Sequence, residues 1–263
     1  MNIAFCLFKY FPFGGLQTDF LAIAKKCQQR GHNIEVYTRS WQGDIPEGFN
    51  INIIKASAFT NIGKDVAYVQ RLKRCLPQKS LIVGFNKMPN LDVYFAADSC
   101  YAARVKNVSH WKKKVSRRHR EKLRLEANLF HLSQTHIMFI APQQLRDFQK
   151  FYSVEQKNLL PPGISSHLMN HHRQKKNKQQ FLSELGVNED TFLILMVGSG
   201  FSTKGVDRSL KALRSLPENL RNKTHLAIAG KGKEKAFAIW QNNCKLITKL
   251  LFWAHVQMLT NSI

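Results

Sequence analysis

The sequence predicts an α/β protein with a parallel, doubly wound sheet that is begun twice along the chain. Three observations predict it. A short apolar run, Ile3-Ala4-Phe5-Cys6-Leu7-Phe8, leads through a glycine turn into apolar residues at helical spacing. The same order recurs between Phe192 and Leu216. Between the two, buried-strand runs alternate with helical stretches, the pattern of βαβ units.

The first unit is organised around Phe11-Pro12-Phe13-Gly14-Gly15-Leu16-Gln17-Thr18-Asp19. After it, Leu16, Phe20, Ile23, Ala24 and Cys27 recur on one helical face. Gly31 offers a left-handed cap to that helix, and Ile34 to Thr38 is the next strand. Two glycines at a strand-to-helix turn let backbone approach a ligand closely. The helix N-terminus beyond them favours an anion, usually phosphate. A plain tight turn is the competing reading of a Gly-Gly pair.

The chain continues with an alternating run at Ile51 to Ile54 and a helix from Asp65 to Leu76, stopped by Pro77. Strands are expected at 81–85, 91–97, 137–140 and 159–164, the last ending in a proline break, with a helix at 143–152. Residues 165–180 are polar and read as a linker, and the adjacent His171 and His172 point to different faces of any regular element. A solvated linker suits them better than a metal site. Phe192 to Val197 then forms a strand, Gly198 to Gly205 a turn and Val206 to Leu216 a helix, with Leu226 to Gly230 the next strand. Two such starts predict two Rossmann-like halves.

Composition bounds the partners. Among 263 residues, 40 Lys and Arg face 17 acids, a net charge of +23. That calls for an anionic partner: nucleic acid, anionic lipid or a phosphorylated substrate. Five scattered cysteines with no CxxC read as reduced thiols of a cytosolic protein. No apolar stretch is long enough to span a membrane, and the N-terminus lacks a signal-peptide pattern.

Ten Lys or Arg crowd residues 101–130, opposed only by Glu121 and Glu126. Val105, Val108, Trp111 and Val115 recur there at helical spacing. Trp111 beside three lysines suits a membrane interface. A solvated charged helix face is the plainer reading. Aromatic platforms for stacking on bases are missing, so nucleic acid is not the expected partner.

Several blocks resemble the lipopolysaccharide core glucosyltransferases. They are Tyr10 to Gln17, Val83 to Pro89, Leu91 to Asp98, Leu160 to Ile164 and Lys204 to Ser209. The resemblance runs from Asn2 to about Phe237. It implies a family-4, retaining glycosyltransferase of the GT-B type, with two facing Rossmann-like domains. It further implies transfer of glucose from UDP-glucose to an inner-core heptose, at the cytoplasmic face of the inner membrane, without metal or cofactor. Carried over by position, Gly14 and Gly15 face the sugar diphosphate, Asp19 and Asp98 line the site, and Lys204 stabilises the leaving diphosphate. An arginine usual beside that lysine is Thr203 here. Helix-start acid and strand-end cap are the plain readings of Asp19 and Asp98.

The expected domains are therefore 1–164 on the acceptor side, a linker at 165–180, and the start of a nucleotide-sugar domain at 181–237. The second domain is expected to be incomplete. Residues 238–263 depart from the family pattern. Read one base out of frame, with suitable synonymous codons, residues 238–259 give HLAKQLQVDHKITFLGPRADV, a helix, a strand and the family's loop. A one-base change of frame before Ile239 is the resulting expectation, leaving a chain that does not transfer glucose by itself. The alternative is a non-catalytic basic protein on anionic membrane or nucleic acid.

Overall fold

The computed structural model describes residues 1–12, 14–106, 116–131, 134–155, 157–161, 163, 182, 183, 186, 188, 190–198, 200–230 and 251–253. The chain divides into two compact units, Met1–Gly163 and Ile164–Ile263. The expected linker at 165–180 lies outside the described residues, as do Val108, Trp111 and Val115.

The first unit runs β1 (Asn2–Cys6), α1 (Gly15–Gln29), β2 (Asn33–Thr38), β3 (Phe49–Ile53), α2 (Asn61–Cys75), β4 (Leu81–Gly84) and β5 (Val93–Ala96). It continues with α3 (Tyr101–Lys106), α4 (Arg117–His131), β6 (His136–Phe139), α5 (Pro142–Gln149) and β7 (Lys157–Leu159). The strands form one sheet in the order β3-β2-β1-β4-β5-β6-β7. Every neighbouring pair is parallel.

Strand side chains alternate between faces, so a strand covered on both sides must be apolar throughout. β1 shows why its run has no polar interruption. Ala4 and Cys6 pack with Tyr68 and Leu72 of α2, Leu129 and Phe130 of α4 and Phe148 of α5. Ile3 and Phe5 pack on the other face with Phe20 and Ala24 of α1. Gly31 ends α1 as expected, at φ 82°, with the Gly31 amide donating to Gln28 O at 2.8 Å and the His32 amide to Cys27 O at 3.2 Å.

Two of the boundaries that differ from expectation have local reasons. α2 starts at Asn61 rather than Asp65, because the Thr60 hydroxyl accepts from the Gly63 amide at 3.1 Å and caps the helix a turn earlier. β7 starts at Lys157 rather than Leu159, because Lys157 already pairs with Ile137 of β6, and it ends ahead of the expected proline break, where Pro161 has no N–H to extend a ladder.

The second unit runs β8 (Phe192–Val197), α6 (Phe201–Lys204), α7 (Val206–Arg214), α8 (Glu218–Arg221), β9 (Thr224–Ala229) and β10 (Leu251–Trp253). Its strands are parallel in the order β10-β9-β8. Phe201, Val206, Leu210 and Leu213 pack on Leu226 and Ile228. β10 lies within 238–263, the stretch expected to depart from the family pattern. No helix among the described residues is long and apolar enough to cross a membrane. Cys6, Cys27, Cys75 and Cys100 are free thiols, and Cys244 lies outside the described residues.

Candidate active site

The sheet of the first unit grows in both directions from β1: β2 and β3 lie on one side, β4 to β7 on the other. In open α/β sheets, ligands bind outside the carboxyl ends of the strands where the order reverses. A cavity of about 230 Å3 lies at that place. Phe8 after β1, Asn86 and Lys87 after β4, and Asp98 and Ser99 after β5 line it, with Asp65, Tyr101, Arg104 and Lys122. Across the reversal, Asn86 Oδ1 accepts from the Phe8 amide at 2.8 Å.

Glu126 of α4 builds the wall beneath. Its side chain is fully buried, and Lys87 Nζ lies 2.5 Å from Oε2. Oε2 also accepts from the Tyr101 amide at 2.6 Å, and Oε1 from the Ala102 amide and the Tyr152 hydroxyl, each at 2.9 Å. A buried carboxylate is tolerable only when paired and fully bonded, and this one is. Its two backbone donors are first-turn amides of α3, groups that no intrahelical carbonyl can satisfy. Lys87 also donates to Ser99 O at 2.6 Å and lies 5.3 Å above the Phe148 ring. Gln144 Nε2 donates to Ala96 O and, at 2.9 Å, to Asp98 O. The backbone of Asp98 is thus pinned while its residue stays exposed at the cavity.

Charge around the cavity is uneven. Arg39 Nη2 lies 2.8 Å from Asp65 Oδ1, an ionic contact without hydrogen-bond alignment. Burial raises the Asp65 pKa, against Arg39, Lys122 and Lys9. Burial lowers the Lys122 pKa, helped by Arg118 and Arg104 and opposed by Asp98 and Asp65. Burial pushes the Cys100 thiol up to about 11, so it is no nucleophile at neutral pH.

Gly14 caps the start of α1, Gly15 and Asp19 lie in its first five residues, and none of the three is among the cavity's lining residues. A Cβ at Gly14 would collide with Gln17 Oε1 and stand 2.8 Å from Phe11 Cε2. Gln17 is held there because its Nε2 donates to Lys9 O at 3.0 Å. A Cβ at Gly15, by contrast, would meet only open space. Asp19 is the fifth residue of α1, past the first turn, and burial raises its pKa. In the second unit, Lys204 is exposed at the end of α6 and folds back over the glycine turn after β8. Its Cε would stand 2.8 Å from a Cβ at Gly198.

Of the expected site residues, Asp98 alone lines the cavity. Gly14, Gly15 and Asp19 stand at the start of α1, and Lys204 belongs to the other unit. Asn86, Lys87, Arg104 and Lys122 were not singled out by sequence as site residues. The readable signal for Asn86 and Lys87 was their place directly after a parallel strand. For Glu126 it was an acid standing in a basic run. Among the described residues, no group of three His, Cys, Asp or Glu is placed to hold a metal.

Residues 177–262 match the family of group 1 glycosyl transferases. The chain is 41% identical over 242 residues to the lipopolysaccharide glucosyltransferase WaaG of Escherichia coli (strain K12). That alignment covers 90% of this chain and 65% of the relative, so the chain spans just under two thirds of the relative's length. The crystal structure of WaaG, a glycosyltransferase involved in lipopolysaccharide biosynthesis, matches with a TM-score of 0.86 at 37% identity. It covers 99% of this chain and 72% of that one. Trehalose-6-phosphate synthase OtsA matches with a TM-score of 0.58 at 10% identity, over 97% of this chain and 74% of its own, a likeness of fold alone.

Sheet order, strand-end cavity and these matches define the class as GT-B-type glycosyltransferases. Within that class the chain belongs to the lipopolysaccharide glucosyltransferase family of WaaG. The group 1 match runs to residue 262, so it marks no break at Phe237.

Proposed function

We propose that this protein is a retaining, metal-independent hexosyltransferase that moves glucose from UDP-glucose to a heptose of the lipopolysaccharide inner core. The observation that carries the proposal is 41% identity to a lipopolysaccharide glucosyltransferase over 90% of this chain. The donor is UDP-glucose, with no further cofactor. The non-catalytic alternative is not favoured by identity to an enzyme over that length.

Each unit contributes in this reading. Asp98 meets the acceptor hydroxyl, supported by its exposure at a cavity whose backbone is pinned. Gly15 lets the sugar diphosphate approach the start of α1, supported by the open space where a Cβ would stand. Gly14 keeps that turn compact, and Asp19 lines it. Lys204 neutralises the leaving diphosphate, where negative charge develops and a cation is most useful.

The protein works at the cytoplasmic face of the inner membrane, held there by residues 101–130. Arg117, Arg118, Arg120 and Arg124 are exposed on α4, while Leu125 and Leu129 are buried, which supports a cationic outer face. Each such cation near an anionic leaflet contributes about 1 kcal/mol. The one-base change of frame before Ile239 is part of the same proposal, and the nucleotide sequence across that codon checks it.

The test is transfer of labelled glucose from UDP-glucose to a heptose-terminated core acceptor, using the chain with its frame restored. Asp98→Asn and Lys204→Ala should each lower the rate by about 10²–10³-fold without moving the melting temperature. UDP-glucose binding without transfer to heptose would remove the acceptor assignment. Absent UDP-glucose binding would remove the donor assignment.

A further inference from the structure

The cavity of the first unit carries a charge balance that sugar hydroxyls do not account for. Five charged residues line it: Asp65, Lys87, Asp98, Arg104 and Lys122. Two are already paired within the protein, Lys87 with Glu126 at 2.5 Å and Asp65 with Arg39 at 2.8 Å. That leaves one carboxylate, Asp98, against two cations. Among the described residues, neither Arg104 nor Lys122 has a carboxylate within ion-pair distance. Lys122 is crowded by like charge from Arg104 and Arg118, and its Nζ lies 5.2 Å over the Tyr101 ring. Like charges held together at a partly desolvated wall are costly until an anion joins them.

The cluster is also held in place. Arg104 rides on α3, whose first-turn amides are fixed by the buried Glu126 carboxylate. Tyr101, one turn before Arg104, stacks on His119 of α4 with centroids 5.6 Å apart, and its hydroxyl is hydrogen-bonded to His119 Nδ1. α3 and α4 are therefore tied together at the point where Arg104 and Lys122 meet the cavity.

We propose that Arg104 and Lys122 form a subsite for an anionic substituent of the acceptor saccharide, a phosphate monoester or a sugar carboxylate, beside the hydroxyl that meets Asp98. Arginine presents a planar fork that matches either group bidentately, and lysine adds a compact point charge. The inference deepens the acceptor reading above and rests on it. It makes the protein a reader of acidic saccharides rather than of any heptose.

The experiment titrates the 263-residue chain by calorimetry with an acidic heptose-bearing core oligosaccharide. Parallel arms use the same oligosaccharide after phosphatase treatment, after carboxyl reduction, and after both. Removing the recognised substituent should weaken binding by about tenfold, and the arm in which this happens names it. Arg104→Gln and Lys122→Gln should weaken the intact oligosaccharide by a similar factor. The doubly stripped one should bind both variants as it binds the parent. Lys122→Arg, which keeps the charge, should retain most of the preference. Equal weakening of intact and stripped forms would overturn the proposal, as would no preference in the parent or no oligosaccharide binding. Phosphatidylglycerol vesicles form a further arm. If they displace the intact oligosaccharide and lose affinity in the same two variants, the cluster reads lipid headgroups and the proposal fails. UDP-glucose titration of the chain with its frame restored separates the two readings. Retained donor binding with no acidic preference confines the failure to this subsite, whereas lost donor binding strikes the glucosyltransferase reading itself.

Discussion

The two units each follow their first strand with a glycine turn, and glycine is there for different reasons. After β1, Gly14 has φ −100°, a conformation open to any residue. Glycine is needed at that point because Gln17 and Phe11 fill the space of a side chain. After β8, Gly198, Gly200 and Gly205 have φ 144°, 75° and 84°, where a side chain is strained whatever the room. One turn is glycine by crowding, the other by backbone conformation. Under the proposed function, the difference assigns a ligand-facing position to each. In the first unit it is Gly15, the one position of the pair left open. In the second it is Lys204, which can lie across the turn only because Gly198 has no Cβ.

The sharpest contrast should come from alanine at Gly198. A side chain there meets both an unfavourable φ and the Lys204 stem, and such backbone strain costs about 1–3 kcal/mol. Urea unfolding should register that loss, and UDP-glucose affinity should fall with it because Lys204 is displaced. Gly14→Ala should cost less, about 1 kcal/mol, through the Gln17–Lys9 hydrogen bond that the new methyl breaks. Adding Gln17→Ala to Gly14→Ala should then cost little more, since both remove one interaction. Additive losses would mean that crowding is not what keeps Gly14.

Gly15→Ala should separate stability from function. Alanine is a better helix former than glycine, so stability should hold or rise by a few tenths of a kcal/mol. Donor affinity should nevertheless fall several-fold in a UDP-glucose titration, because the methyl occupies the open approach. Unchanged affinity would place the diphosphate elsewhere.

The architecture was legible because its signals are local. β8 runs over Phe192 to Val197 as the apolar run indicated, and Gly31 closes α1 where expected. The start of α2 was missed because the Thr60 cap, which accepts from the Gly63 amide, was not read from the sequence. Of the cavity's lining, the sequence reading reached only Asp98, where a polar residue and a strand end coincide. Glu126 could not be placed from sequence, since Lys87, Tyr101 and Tyr152 are brought to it by the fold rather than by spacing. Arg104 and Lys122 were hidden for a related reason. In a run with ten cations, nothing local distinguishes the two that face a cavity from those that face solvent.

The smallest expected effect concerns the acid beyond the first turn. Burial raises the Asp19 pKa above its ordinary 3.8. The folded protein therefore holds that proton more tightly than the unfolded chain does. Its contribution to stability is fully present below the ordinary carboxylate value. It is lost as pH rises through the raised folded value. Asp19→Asn abolishes this titration. The variant should be slightly more stable than the parent at neutral pH, and its advantage should shrink toward zero as pH falls to about 3.8 and below. Melting temperatures of both proteins, measured from neutral to acid pH, check the sign. If the difference between them does not change with pH, burial is not acting on this carboxylate. If the parent is the more stable at neutral pH, Asp19 is held by a favourable interaction as an anion, and its place beside the open Gly15 would have to be read as anchoring α1 rather than lining the approach to it.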